Sequence, residues 1–450
     1  MSQKPAESSP QLSRSLGPLM LWGMGVGYVI SGMYFGWNLG LAAGGTYGLA
    51  IATFFIIILY ITFTFSYTEL ACAIPKAGGV LDYANRGLGK ELGFIAGMAQ
   101  IIEFVFAPPA IAAAIGAYFH IFFPGISVIS IAIVAYILFT ALNIYGVKAA
   151  ATFELIITIF AVFELLLFAG VTLPHFEMKN LELNAFPNGW EGVWAAIPFA
   201  IWFFLAIEGV ANIAEETINP QKNILRGFGS ALATLIILCV LTFISAVGVG
   251  GWEKIVYPVA GDNTTSDSPL PLALAQITRS SGLLYHLLIT IGLMGLVASF
   301  HGIILAAGRA TFEFGRVKYM PEVLGKIHPK FKTPANALVV NMLVGIIALL
   351  TGKTAGIITI AVFGALALYI FSMITVIGLR KKEPDMIRPF KVPFYPWFPI
   401  IALVIASVSL IAMVTLYFNL ALIFFGILAL SYIWFHFAVK NTIHGNSANH

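Results

Sequence analysis

Three acidic side chains lie deep inside apolar stretches of this 450-residue chain: Glu103 in "AQIIEFVFAPP", Glu164 in "AVFELLLF" and Glu208 in "FFLAIEGVAN". No lysine or arginine falls at a comparable depth to neutralise them. A lone carboxylate in hydrocarbon costs about 3 kcal/mol or more unless it is paired, protonated or hydrated, so each is a candidate functional group. An excess of buried acid over buried base suits a cationic solute or a carried proton and disfavours an anionic solute. The plainer alternative, a protonated carboxyl bonded to a neighbouring carbonyl, stays open for all three. His301, in "GLVASFHGIILAAGR", is the only histidine well inside an apolar stretch. It either packs as a neutral ring or titrates near neutral pH and couples a proton. Glu164 and Ser299 are further candidates for proton or ion coupling. Trp202 either packs against lipid and core or offers its ring face to a cation.

The elements that carry these residues must span a membrane. The chain is 59% hydrophobic and 10% charged, with a mean hydropathy of +0.93. A soluble domain carries roughly 25% charged residues, so this is an integral membrane protein, with the lipid bilayer as its first partner. A formal charge of +4 is too small to imply nucleic acid. The two cysteines, Cys72 and Cys239, both fall in apolar windows and suggest neither a disulfide framework nor a metal site. No Ser/His/Asp set, metal-spaced His pair or phosphate loop with a lysine points to an enzyme. A bilayer core of about 30 Å needs about 20 apolar residues per helix. Twelve windows qualify: 17–44, 48–71, 93–123, 126–146, 151–173, 192–214, 228–250, 283–310, 335–351, 355–379, 398–417 and 420–438. Glu103 is ten residues into the third, about 15 Å along at 1.5 Å per residue and so near the bilayer centre.

Charge sets the expected orientation. With the N-terminus inside, nineteen of the 24 Lys and Arg residues fall in inward segments and four in outward ones, which places both termini in the cytoplasm. The expected organisation is a cytoplasmic tail over 1–16, one transmembrane transporter domain over 17–440 and a cytoplasmic tail over 441–450. No removable signal peptide is expected. Acids at the inward ends of spans, Glu69, Glu154, Glu215, Glu216 and Glu313, read as structural partners of loop cations.

Two spans are built from poor helix formers. "GVGYVISGMYFGWNLG" (25–40) carries five glycines, and the sixth window has Pro198 and then Glu208-Gly209 at mid-length. Close packing explains glycines in one span. Interruptions at matching places, spans one and six, point instead to an inverted-repeat transporter whose broken helices hold the solute. Breaks are expected near Ile30–Gly32 and Ala206–Gly209. They would expose unpaired backbone dipoles at mid-depth.

Three stretches carry a resemblance. "YTELACAIPKAGGVLDYANRGLG" (67–89), "EETINPQKNILRG" (215–227) and "ASFHGIILAAGRATFEFGRVKYMP" (298–321) resemble, in order, signature segments of the amino acid–polyamine–organocation superfamily. The resemblance implies an all-α, leucine-transporter-type fold: two inverted five-helix repeats, two extra helices, twelve in all, with helices one and six broken. It also implies alternating access, no cofactor, coupling to H⁺ or Na⁺, exchange or uniport, and the inner membrane of a bacterium. A homodimer is left open. "VISGMYFGWNLGL" and "IEFVFAPPAIAAAIGAY" are most similar to bacterial ethanolamine permeases. Family amino-acid permeases usually have a glycine where Ile30 stands, in a motif that grips a carboxylate, and ethanolamine has none. Trp202 and Glu208 keep the six-residue spacing between gating Trp and Glu seen in arginine–agmatine exchangers, and Glu103 aligns with their substrate contacts. Some proton-coupled relatives have a helix-five lysine where this chain has Ala161. The implied site comprises Ile30, Ser31, Gly32, Glu103, Phe104, Trp202, Ala206 and Glu208. The expected solute is a small primary amine, with an amino acid as the alternative.

Overall fold

The computed structural model describes residues 14–145, 147–259, 261, 263–280 and 282–440. The expected tails, apart from Arg14–Leu16, lie outside the described residues. Secondary structure among those residues is helical, with one isolated bridge, Leu16 to Thr217.

The first segment is fragmented. Helix α1 (Pro18–Val29) starts on a proline, which suits a first-turn position because its missing N–H has no partner there anyway. One further turn, α2 (Ser31–Tyr34), follows before Phe35 goes fully extended and Gly36 turns left-handed at φ 86°. Helix α3 (Asn38–Ala73) finishes that segment, turns at Gly45 and crosses back as the second span. A short α4 (Val80–Leu88) leads into α5 (Lys90–Phe122), which continues unbroken through Pro108 and Pro109. Prolines lack the amide hydrogen, so the carbonyls of Phe104 and Val105 have no i+4 donor. Next come α6 (Val128–Tyr145), α7 (Val147–Thr172) and the short α8 (Met178–Glu182).

Segment six begins as α9 (Gly189–Trp202) and unwinds over 203–206. Ala206 is left-handed at φ 74°, and the chain resumes as a 3-10 stretch, Ile207–Glu216. Helix α10 (Pro220–Gly248) and two short pieces, α11 (Trp252–Val256) and α12 (Pro269–Ala275), lead to α13 (Leu283–Arg316). The chain closes with α14 (Ala335–Leu349), α15 (Thr354–Lys382), α16 (Trp397–Leu416) and α17 (Phe418–Trp434).

Ten of the described helical stretches are long and apolar enough to cross a membrane. The two expected windows outside that set are the fragmented first and the ninth, whose helix α14 has 15 residues. Burial separates interior from rim. The most apolar window of α5 is 94% buried and that of segment six 89%, against 17% for the last helix, whose face is left for lipid. Glu103 and Glu208 therefore sit on the two innermost elements, whereas Glu164 is on α7, whose window is 44% buried.

Candidate functional site

Glu103 on α5 and Glu208, two residues past the unwound turn of segment six, are both fully buried. Their carboxyls are near enough to weigh on each other's charge, and the Ala206 backbone amide approaches Glu103. Ala206 can present that amide because its left-handed backbone breaks the helical path. Neither Glu103 oxygen, nor Oε1 of Glu208, completes a hydrogen bond among the described residues. Tyr369 of α15 donates to Glu208 Oε2 at 3.2 Å, and its hydroxyl lies 2.9 Å from that of Tyr60 on α3. Phe63 and Phe204 pack on these two tyrosines, with ring centroids 4.3 Å from Tyr369 and 5.1 Å from Tyr60 respectively. Phe104 reaches the same place: a β-carbon on Gly209 would lie 3.8 Å from its Cζ. The result is a buried, carboxylate-rich site with aromatic walls and no cationic partner among the described residues.

Ile30, Ser31, Gly32 and Trp202 form a seam between the two broken segments. A β-carbon on Gly32 would collide with the Trp202 carbonyl, and one on Gly36 with the Trp202 indole. Across the seam Trp202 Nε1 donates to the Phe35 carbonyl at 3.1 Å. Other groups freed in segment one also find protein partners. Tyr118 donates to the Tyr34 carbonyl at 3.0 Å, and Asn38 Oδ1 accepts from the Gly36 amide at 3.0 Å. At Ile30 the cause of the interruption is visible. Ser299 on α13 inserts its hydroxyl between Ser31 N, 2.8 Å away, and the Gly27 carbonyl, 2.6 Å away. Those two groups would bond to each other in a continuous helix. Ile30 itself keeps right-handed helical angles, so the larger departure falls one turn later than sequence suggests, at Phe35–Gly36.

Glu164 and His301 do not join Glu103 and Glu208. Glu164 is buried beside the hydroxyl of Tyr34, whose own partner is the Ala161 carbonyl. His301 Nδ1 lies 3.1 Å from Glu154 Oε2. This corrects the sequence reading of Glu154, which is a buried partner of a histidine rather than of a loop cation. The helix carrying it begins at Val147, before the expected window, and lifts it about one turn further in. The other end-of-span acids do meet cations: Glu69 with Arg380 and Arg388, Glu216 with Arg309, and Glu215 and Glu313 with Arg316. Outside the spans, burial holds the Asp82 carboxyl above its ordinary value, partly offset by Lys76 and Arg316. Sequence reasoning missed Tyr60 and Tyr369, which stand in apolar runs with nothing to mark them.

A sequence model of the amino acid permease family matches residues 16–438. The chain belongs to that family. This permease is 29% identical over 420 residues to the methylthioribose transporter of Bacillus subtilis, covering 88% of this chain and 87% of that one. It is 28% identical over 419 residues to a branched-chain amino acid permease of the same organism, covering 87% and 86%. It is 26% identical over 411 residues to the low-affinity putrescine importer of Escherichia coli, covering 87% of each. The permease is thus a multi-pass membrane transporter of a family whose members carry amino acids and polyamines, and it is not an enzyme. The names of these relatives span a sugar derivative, amino acids and a diamine, so the solute must be argued from the site.

Proposed function

We propose that this permease imports a small primary amine, ethanolamine foremost, across the inner membrane of a bacterium by alternating access, with both termini in the cytoplasm. The observation that carries the reading is the pair Glu103 and Glu208: two neighbouring, fully buried carboxyls with open hydrogen-bonding capacity and no basic side chain beside them. Two such groups are stable together only if they share a proton or hold a cation. An ammonium supplies three donors and one positive charge, which suits three oxygens without a donor. The Phe104 carbonyl, deprived of its i+4 donor by Pro108, adds an acceptor on the same helix. Ring faces of the surrounding aromatics favour a cation further. Trp202, bonded across the seam, acts as the occluding gate above this pocket.

The decisive experiment is uptake of radiolabelled ethanolamine into vesicles reconstituted with wild type or Glu103→Gln. We expect rapid uptake by the wild type and its near-complete loss in the variant; undiminished uptake would remove Glu103 from this role. A second reading, an amino-acid permease or exchanger, is favoured by the kinship with the branched-chain amino acid permease. Excess amino acid that abolishes labelled ethanolamine uptake, together with a thermal shift produced by amino acids and not by amines, would select that reading.

A further inference from the structure

We propose that Glu154 and His301 form the proton-binding site that drives this permease, separate from the Glu103–Glu208 pair and joined to it through Tyr28. The inference rests on the reading of the chain as a solute carrier, but not on the identity of the solute.

The geometry is specific. Glu154 of α7 and His301 of α13 are both buried, with Oε2 and Nδ1 3.1 Å apart. The imidazole is enclosed by Phe153 and Phe139, with ring centroids at 5.6 and 6.3 Å. The second carboxylate oxygen, Glu154 Oε1, has no hydrogen-bond partner among the described residues, and neither has the Thr158 hydroxyl or that of Tyr28. Two glycines make room for that oxygen. A β-carbon on Gly27 of α1 would strike Glu154 Oε1 and come within 2.7 Å of Thr158 Oγ1, and one on Gly302 would come within 2.9 Å of Glu154 Oε1. The site thus lies against the α1 interruption that Ser299 props open.

Charge does the rest. With a proton on His301 the pair is an imidazolium beside a carboxylate, neutral overall and stable in a dry interior. Without it Glu154 is a buried anion facing uncharged groups, and the site gains by admitting water. Other polar or charged groups packed here are few. From α1 comes Tyr28, whose hydroxyl feels the charges of Arg309 of α13, Glu154 and Glu216 of the 3-10 stretch and completes a hydrogen bond with none of the described residues. Arg309 and Glu216 are paired to each other at 2.7 Å. From α7 comes Thr158, and from α6 Asn143, which bonds the His301 carbonyl at 3.3 Å. Arg309 is therefore already committed, and His301 is the group left to neutralise Glu154. One proton taken from water on the outer side protonates the imidazole and is returned unchanged to water on the inner side. No bond other than N–H forms or breaks.

Tyr28 supplies the link to the solute site. One ring edge abuts Gly302, beside His301, and the other lies 2.8 Å from where a Gly209 β-carbon would be, beside Glu208. A change of packing at either site moves the same ring.

The test uses reconstituted vesicles and two assays: accumulation driven by an inward pH gradient, and solute counterflow without a gradient. We expect wild type to perform both. Glu154→Gln and His301→Gln should retain counterflow but lose gradient-driven accumulation by about tenfold or more, a typical strength for coupling between sites. Glu154→Asp should recover part of it. Glu164→Gln should behave as wild type. Accumulation that survives in both Gln variants, or a wild type indifferent to the pH gradient, would overturn the proposal. If a Gln variant loses counterflow too, Glu154→Asp and the wild-type gradient response decide. A wild type without ethanolamine counterflow refutes the amine reading instead, and the proton assays are then run with whichever amino acid exchanges.

Discussion

Two acidic clusters flank α1, and they differ in company. Glu103 and Glu208 are neighbours with hydroxyls and aromatic rings around them and no base, whereas Glu154 faces His301. A site that must receive a cation has to lack one of its own. A site that only exchanges a proton needs a base that can take it up and give it back. The difference between the clusters is thus a division between holding a solute and holding a proton, and four measurements can break or sharpen it.

The largest effect should come from Glu103→Gln or Glu208→Gln. Each removes half of a buried charged pair, and initial uptake rates should fall about a hundredfold, close to 3 kcal/mol. The double variant should lose far less than the product of the two, because the groups act as a unit. Gly32→Val comes next: its side chain would meet the Trp202 carbonyl, and overpacking of this kind should cost about 1–3 kcal/mol of stability, read as a lower unfolding temperature. Tyr369→Phe deletes one donor to Glu208 and should raise the half-saturating solute concentration several-fold, from about 1 kcal/mol, leaving the pH response intact.

The smallest effect lies outside both clusters. Asp267 accepts from Thr354 Oγ1 at the start of α15, and burial pushes its carboxyl up to about 6. A value raised on folding means that the docked loop favours the protonated acid. Docking is therefore tightest below the ordinary carboxylate value and loosens as pH rises through about 6. Amide protection around 266–268 should be greater at about pH 5 than at about pH 7.5 after correction for intrinsic exchange, and Asp267→Asn should remove the dependence.

Much of this could be seen before any coordinates. Apolar windows of bilayer length follow from hydrocarbon thickness, and a carboxylate in such a window cannot be hidden by helical register. What distances along the chain do not carry is which faces of separate helices meet. The counting that set Glu103 near mid-depth could not say that Glu208 is its neighbour. Glu154, measured from a span edge four residues too late, passed for an end-of-span acid, and its contact with His301 depends on how α7 and α13 are rotated. In segment one, "VISGMY" drew attention through its Ser-Gly pair, while the sharper turn was encoded one turn later by Gly36 and Asn38. Tyr60 and Tyr369 were invisible because a tyrosine in an apolar run reads as bulk until its hydroxyl is given a neighbour.

Just before α1, Ser15 and Leu16 donate their backbone amides to the Glu216 carbonyl, and the Ile218 amide donates to the Leu16 carbonyl. This short zipper ties the root of the first segment to the foot of the sixth on one side of the molecule. Ser15 and Leu16 are accordingly a handle on both broken segments at once. Removing Ser15 and Leu16 takes away all three of these bonds and so unfastens the two segments at that end.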